Sequence, residues 1–118
     1  MLGKRGPGDS ARNLTLLGVF VVGLIVVIGG IAAAADDARV MIDNFKFSPV
    51  PLTVTVGSTV TWLNRDDIPH SIVVPALSVH SHPMDTDANF ALRFDKPGTY
   101  EYICGLHPFM HGKILVQK

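Results

Sequence analysis

The sequence predicts an all-β fold for residues 36–118, an antiparallel β-sandwich or barrel, preceded by an apolar N-terminal segment of a different kind. Three observations carry this. Short runs rich in β-branched and aromatic residues recur between turn residues. None of the runs has the apolar period of a useful amphipathic helix. The chain has 118 residues, enough for one domain at most.

The elements follow in order. RVMIDNFKF (39–47) is β-rich and ends at Ser48-Pro49. LTVTV (52–56) alternates and stops at Gly57, and STVTWLN (58–64) alternates again. HSIVVP (70–75) is a short apolar run. FALRF (90–94) sets Phe90, Leu92 and Phe94 on one face, and TYEYIC (99–104) does the same with Tyr100, Tyr102 and Cys104. GKILVQK closes the chain. ALSVHSHPMDTDAN (76–89) is expected as a surface loop, and Trp62, Tyr100 and Tyr102 as core, because aromatic side chains dominate small cores.

The N-terminal segment reads as a targeting element. Lys4, Arg5 and Arg12 precede the uncharged run LTLLGVFVVGLIVVIGGIAAAA (14–35), and Asp36-Asp37 follow. A basic head, an apolar run and small residues make a secretory signal with a cut near Ala34 or Ala35. The run exceeds the roughly 7–15 apolar residues of such signals, and about 20 apolar residues span a bilayer. A retained membrane anchor helix through 14–35 is therefore the other reading. No polar face breaks the run, as a buried helix of a soluble domain would require. Both readings keep the basic end in the cytoplasm and export everything after residue 36, to a periplasmic or other extracytoplasmic space. The expected division is 1–35 as signal or anchor and 36–118 as the folded domain.

Residues 36–118 carry 7 Lys and Arg against 9 Asp and Glu, a formal net charge of −2. That argues against a nucleic-acid partner, which calls for a basic face. Cys104 is the only cysteine, so no internal disulfide is available. A small exported domain then relies on its core alone or is helped by a metal.

YICGLHPFMHG (102–112) gathers the chemistry. Cys104 ends its strand pointing inward, and His107 and Met110 follow at i+3 and i+6. A free cysteine is often only a small buried hydrophobe. The spacing changes the odds: one tight turn aims a thiolate, an imidazole and a thioether at one point. Together with a second imidazole, these are the ligands of a trigonal electron-transfer copper site with a long axial bond. His70, in IPHSIVV at the entry of an apolar strand, is the best candidate for that second histidine. His111 is next to Met110 and is expected to point away. A structural zinc site wants four Cys or His in paired motifs. A cysteine nucleophile wants an orienting Asn or Asp and oxyanion donors, which CGLHPFM does not supply.

These segments resemble a known family. GTYEYICGLHPFMHGKILV (98–116) is similar to the C-terminal ligand loop of small cupredoxins of the amicyanin and plastocyanin-like group. NRDDIPHSIVV (64–74) resembles the segment carrying that family's first histidine ligand, and FSPVPLTVTVGSTVTWLN (47–64) its early strands. The resemblance spans 39–118. It implies a Greek-key β-sandwich binding one type 1 copper ion through His70, Cys104, His107 and Met110. It further implies a carrier of single electrons, not an enzyme, with transient redox partners: a donor dehydrogenase or cytochrome and an acceptor cytochrome or oxidase. Three positions depart from the family pattern. Ser71 stands where Asn is common, Gly105 where Ser or Thr is common, and Leu106 where Pro is common. An extracytoplasmic copper carrier without electron transfer is the alternative function, and a metal-free adhesion sandwich a third.

Several further residues have two readings. Leu106, Pro108 and Phe109 around His107, with Pro69 before His70, are candidates for an apolar docking patch; the plainer reading has Phe109 packed inward. Asp66-Asp67 either steers a basic partner or forms a solvated turn. His80, His82 and Met84 are candidates for a second, weak metal site, although loop histidines are usually solvated.

Overall fold

The computed structural model describes residues 37–118 together with Gly23. The chain divides into two units, Met1–Ile31 and Ala32–Lys118, and all described strands belong to the second. Apart from Gly23, the expected signal or anchor at 1–35 lies outside the described residues. Among those residues no helix is long and apolar enough to cross a membrane.

Among the described residues nine strands form in chain order: β1 Asp37–Asp43, β2 Lys46–Ser48, β3 Leu52–Thr55, β4 Thr59–Asn64, β5 Val73–Val74, β6 Val79–His80, β7 Asn89–Arg93, β8 Gly98–Ile103 and β9 His111–Gln117. They make a four-stranded sheet in the order β2-β1-β4-β7 and a five-stranded sheet in the order β3-β9-β8-β5-β6. The all-β expectation holds. The antiparallel expectation does not, because β1 pairs with β4 in parallel and β3 with β9 in parallel. The reason is connectivity. Parallel neighbours need a crossover, and here the chain leaves β1 and β2, passes through β3 in the other sheet, and returns to lay β4 beside β1.

The period-2 pattern sets the core. β4 buries Val60, Trp62 and Asn64 and β9 buries Gly112, Ile114 and Val116, each strand turning every second residue inward. One cluster joins both sheets, with Val40, Ile42, Trp62 and Phe94 meeting Val54, Tyr102, Ile114 and Val116. Trp62 and Tyr102 are buried as expected, whereas Tyr100 is only half-buried and its hydroxyl donates to the Lys96 carbonyl at 2.8 Å. Tyr102 faces Gly112 across the β8–β9 ladder, and any Cβ at Gly112 would overlap its ring. Burial pushes the Tyr102 phenol up to about 12. The nearby Trp62 indole N–H works against that rise, yet it and the Tyr102 hydroxyl are both buried without a hydrogen-bond partner.

Three elements depart from the pattern reading. RVMIDNFKF is two strands, because Asn44 and Phe45 take positive φ (48° and 58°) and fold it into the β1–β2 hairpin. Both central residues of such a tight turn need φ > 0, which Asn tolerates. HSIVVP keeps only Val73–Val74 as strand. Its first residues make other bonds, and Pro75 opens a 3₁₀ turn, Pro75–Leu77. The 76–89 stretch is mostly exposed, yet it contributes β6 and buries Met84, which pairs with His70 as an isolated antiparallel bridge.

Candidate metal centre

Two segments meet at one end of the sheets. The first is the loop after β8. Its backbone closes on itself: the Cys104 N–H donates to the Met110 carbonyl at 3.1 Å, and the Met110 N–H to the His107 carbonyl at 2.9 Å. This folds seven residues into a turn that starts where β8 ends and finishes where β9 begins. Cys104 and Met110 are buried, His107 is half-buried, and Leu106, Pro108 and Phe109 are exposed.

The second segment is the arm between β4 and β5. Asn64, buried at the end of β4, donates through its side-chain amide to the carbonyls of Ile68 and Met84, both at 2.9 Å. Its side-chain oxygen accepts the Asp66 N–H at 2.9 Å. The backbone of His70 exchanges two hydrogen bonds with Met84, at 3.2 and 2.7 Å. His70 is thereby fixed with its ring fully buried.

The arm and the loop bring three donor atoms together. Cys104 Sγ lies 3.6 Å from His70 Nδ1 and 3.7 Å from His107 Nδ1. The three ligand atoms are all within 4.8 Å of one another, the only such His, Cys or carboxylate group among the described residues. Donors about 2.0–2.3 Å from a shared ion, at tetrahedral to trigonal angles, stand roughly 3.5–3.7 Å apart. The spacing therefore fits a metal at the centre. The donor set of one thiolate and two imidazoles, with a buried thioether at the end of the same loop, fits one type 1 copper ion.

The surroundings hold the sulfur as well. The Ser71 N–H points at Cys104 Sγ at 3.4 Å, and the Ser71 hydroxyl accepts the Gly105 N–H at 3.1 Å. These bonds explain two departures in the sequence. Serine at 71 reaches the loop directly, and a Cβ at Gly105 would stand 2.6 Å from that hydroxyl.

Sequence reasoning placed His70, Cys104, His107 and Met110, and the structure brings the first three donor atoms together. It keeps His111 exposed at the start of β9, and His80 and His82 exposed without a cluster. It corrects Asp66. Asp67 is exposed, but Asp66 is buried, with its side chain only 9% exposed and its Oδ2 2.8 Å from His70 Nε2. Its carboxyl lies below the ordinary carboxylate value, chiefly because the Phe45 N–H donates to it and then because of His70. Spacing was the available signal, since Asp66 stands four residues before the histidine. Phe45 was also missed. Its ring meets His70 and His107 edge-on, with centroids 5.7 and 5.2 Å away, and it remains 40% exposed.

Comparison with known proteins agrees with this geometry. The cupredoxin-like domain family matches residues 16–116. Amicyanin of Paracoccus denitrificans is 36% identical over 93 residues, covering 73% of this chain and 71% of that protein. Plastocyanin of Scenedesmus fuscus is 37% identical over 84 residues, covering 60% of this chain and 86% of that protein. The structure of a purple cupredoxin from Nitrosopumilus maritimus superposes with a TM-score of 0.64 at 33% identity, covering 69% of this chain and all of that one. With strands, donor atoms and relatives in accord, the chain belongs to the cupredoxin-like family.

Proposed function

We propose that residues 36–118 form an exported carrier of single electrons, using one copper ion held by His70, Cys104, His107 and Met110. The observation that supports it most is the buried convergence of Cys104 Sγ on two imidazole nitrogens at 3.6 and 3.7 Å. Copper, when bound, supplies a one-electron Cu(II)/Cu(I) change. Cys104, His70, His107 and Met110 would hold it, the thiolate and the two imidazoles as the stronger donors and the thioether as the weaker one. The chain's own part is to hold these donors still. Three come from a loop closed by its own hydrogen bonds and one from a buried arm, so little needs to move when an electron arrives or leaves. Homologous amicyanins and plastocyanins support a carrier role over an enzyme.

Access is through His107. It is half-buried, and Leu106 (48% exposed), Phe109 (67%) and Phe45 (40%) surround it with apolar surface, alongside the exposed Pro108; Pro69 is exposed beside His70. This patch suits brief docking of a donor dehydrogenase or cytochrome and of an acceptor cytochrome or oxidase. Leu106→Lys should slow partner electron transfer while the visible spectrum stays put; unchanged rates would remove the docking role. Residues 1–35 act as the export signal or as a membrane anchor, which N-terminal sequencing of the exported protein decides.

Copper added to the metal-free chain tests the function. An intense visible thiolate-to-copper band with reversible reduction is expected, and it should vanish in Cys104→Ser. Copper binding without the band would support a copper carrier instead, and no binding a metal-free sandwich.

A further inference from the structure

We infer that Asp66 is a positioning residue for the metal centre: one carboxylate oxygen decides which nitrogen of His70 is free to ligate, and ties that histidine to the tip of the β1–β2 hairpin. The inference rests on the copper reading above and adds a residue to it.

Asp66 Oδ2 lies 2.8 Å from His70 Nε2 and accepts the Phe45 N–H at 3.0 Å. An ionised carboxylate only accepts. In the neutral imidazole Nε2 then carries the ring proton, which leaves the Nδ1 lone pair facing Cys104 Sγ. Little solvent competes, because the His70 ring is fully buried and the Asp66 side chain is 9% exposed. The aspartate is itself held. Its N–H donates to Asn64, its carbonyl accepts the Thr86 hydroxyl at 2.6 Å, and Asn64 is anchored to Ile68 and Met84.

The hairpin tip completes the device. Phe45 has φ of 58°, a conformation that costs a non-glycine residue energy. That backbone presents its N–H to Asp66, and its ring covers both imidazoles edge-on. A neutral carbonyl would orient His70 equally well. A carboxylate also brings negative charge one imidazole away from the metal, which favours the more highly charged oxidation state and strengthens the histidine as a donor.

The test uses the full chain, with Asp66→Asn and Asp66→Ala. Nitrogen NMR of the metal-free wild type should show His70 protonated at Nε2. In the copper-loaded protein, Asp66→Asn should weaken Cu(II) binding about tenfold to a hundredfold, weaken Cu(I) binding less, and so raise the reduction potential. Asp66→Ala should in addition mix the two His70 tautomers. A wild-type His70 protonated at Nδ1 would overturn the inference, and so would variants with potential and affinity within twofold of wild type. If a variant fails to fold, the wild-type NMR result still decides. If the wild type shows no thiolate–copper band, the copper reading falls while the NMR result judges Asp66 separately. A normal band with an unaltered Asp66→Asn defeats only the role assigned to Asp66.

Discussion

The two segments that carry the metal ligands are built in opposite ways. The loop from Cys104 to Met110 makes its own hydrogen bonds, and three of its apolar side chains face solvent. The arm before His70 takes its bonds from Phe45 in the hairpin, from Met84 and Thr86 in the stretch after β6, and from Asn64 at the end of β4. His70 itself is fully buried. The loop offers three sulfur or nitrogen donors and the exposed side chains of Leu106, Pro108 and Phe109; the arm offers one donor, fully buried. A short turn can aim several ligands, but the point they converge on is fixed by the rest of the fold.

The arm should therefore be where damage is greatest. Asn64→Ala leaves the Ile68 carbonyl and the Asp66 N–H without these partners and takes one of two hydrogen bonds from the Met84 carbonyl, which keeps the His70 N–H; an unsatisfied buried group costs about 1–3 kcal/mol. Chemical denaturation should show a loss of about 3 kcal/mol or more, with copper affinity falling alongside. A loss below about 1 kcal/mol would mean that the arm is held no better than an ordinary surface loop.

The junction of the two segments should be intermediate. In Gly105→Ala the new Cβ displaces the Ser71 hydroxyl from the Gly105 N–H and crowds Val73, whose Cγ2 it would approach to 3.1 Å. One hydrogen bond of this kind is worth about 1 kcal/mol. Thermal denaturation should register that loss, and the visible band should shift because Ser71 also donates to the sulfur.

The exposed side of the loop should matter least to folding. Leu106→Lys is expected to keep stability within about 0.5 kcal/mol of the parent, so its slower electron transfer would be read as docking alone. A large loss of stability would show that the loop leans on the fold as heavily as the arm does.

Legibility in the sequence follows the same division. The loop was readable because its chemistry is local: Cys104, His107 and Met110 are three apart, and alternation through Tyr100 and Tyr102 turns Cys104 inward. Strand alternation was readable in STVTWLN and FALRF for the same reason, since each side chain's face is set by its neighbours in the chain. The parallel pairings were not, because they depend on a crossover between sheets that no local pattern records. The hairpin inside RVMIDNFKF hid behind continuous β propensity, with Asn44 as its one turn signal. Asp66 read as half of an acidic pair, solvated or steering a partner, and its bonds to Phe45 in the hairpin and to Thr86, 21 and 20 residues away, leave no trace in the local sequence.

X-ray absorption at the copper edge, recorded near neutral pH on the loaded protein in both oxidation states, tests the whole account most directly. One sulfur at short distance and two imidazole nitrogens should appear in Cu(II) and in Cu(I) alike, as expected of donors held in place before the metal arrives. A Cu(II) spectrum without the sulfur, or the loss of an imidazole on reduction, would contradict it.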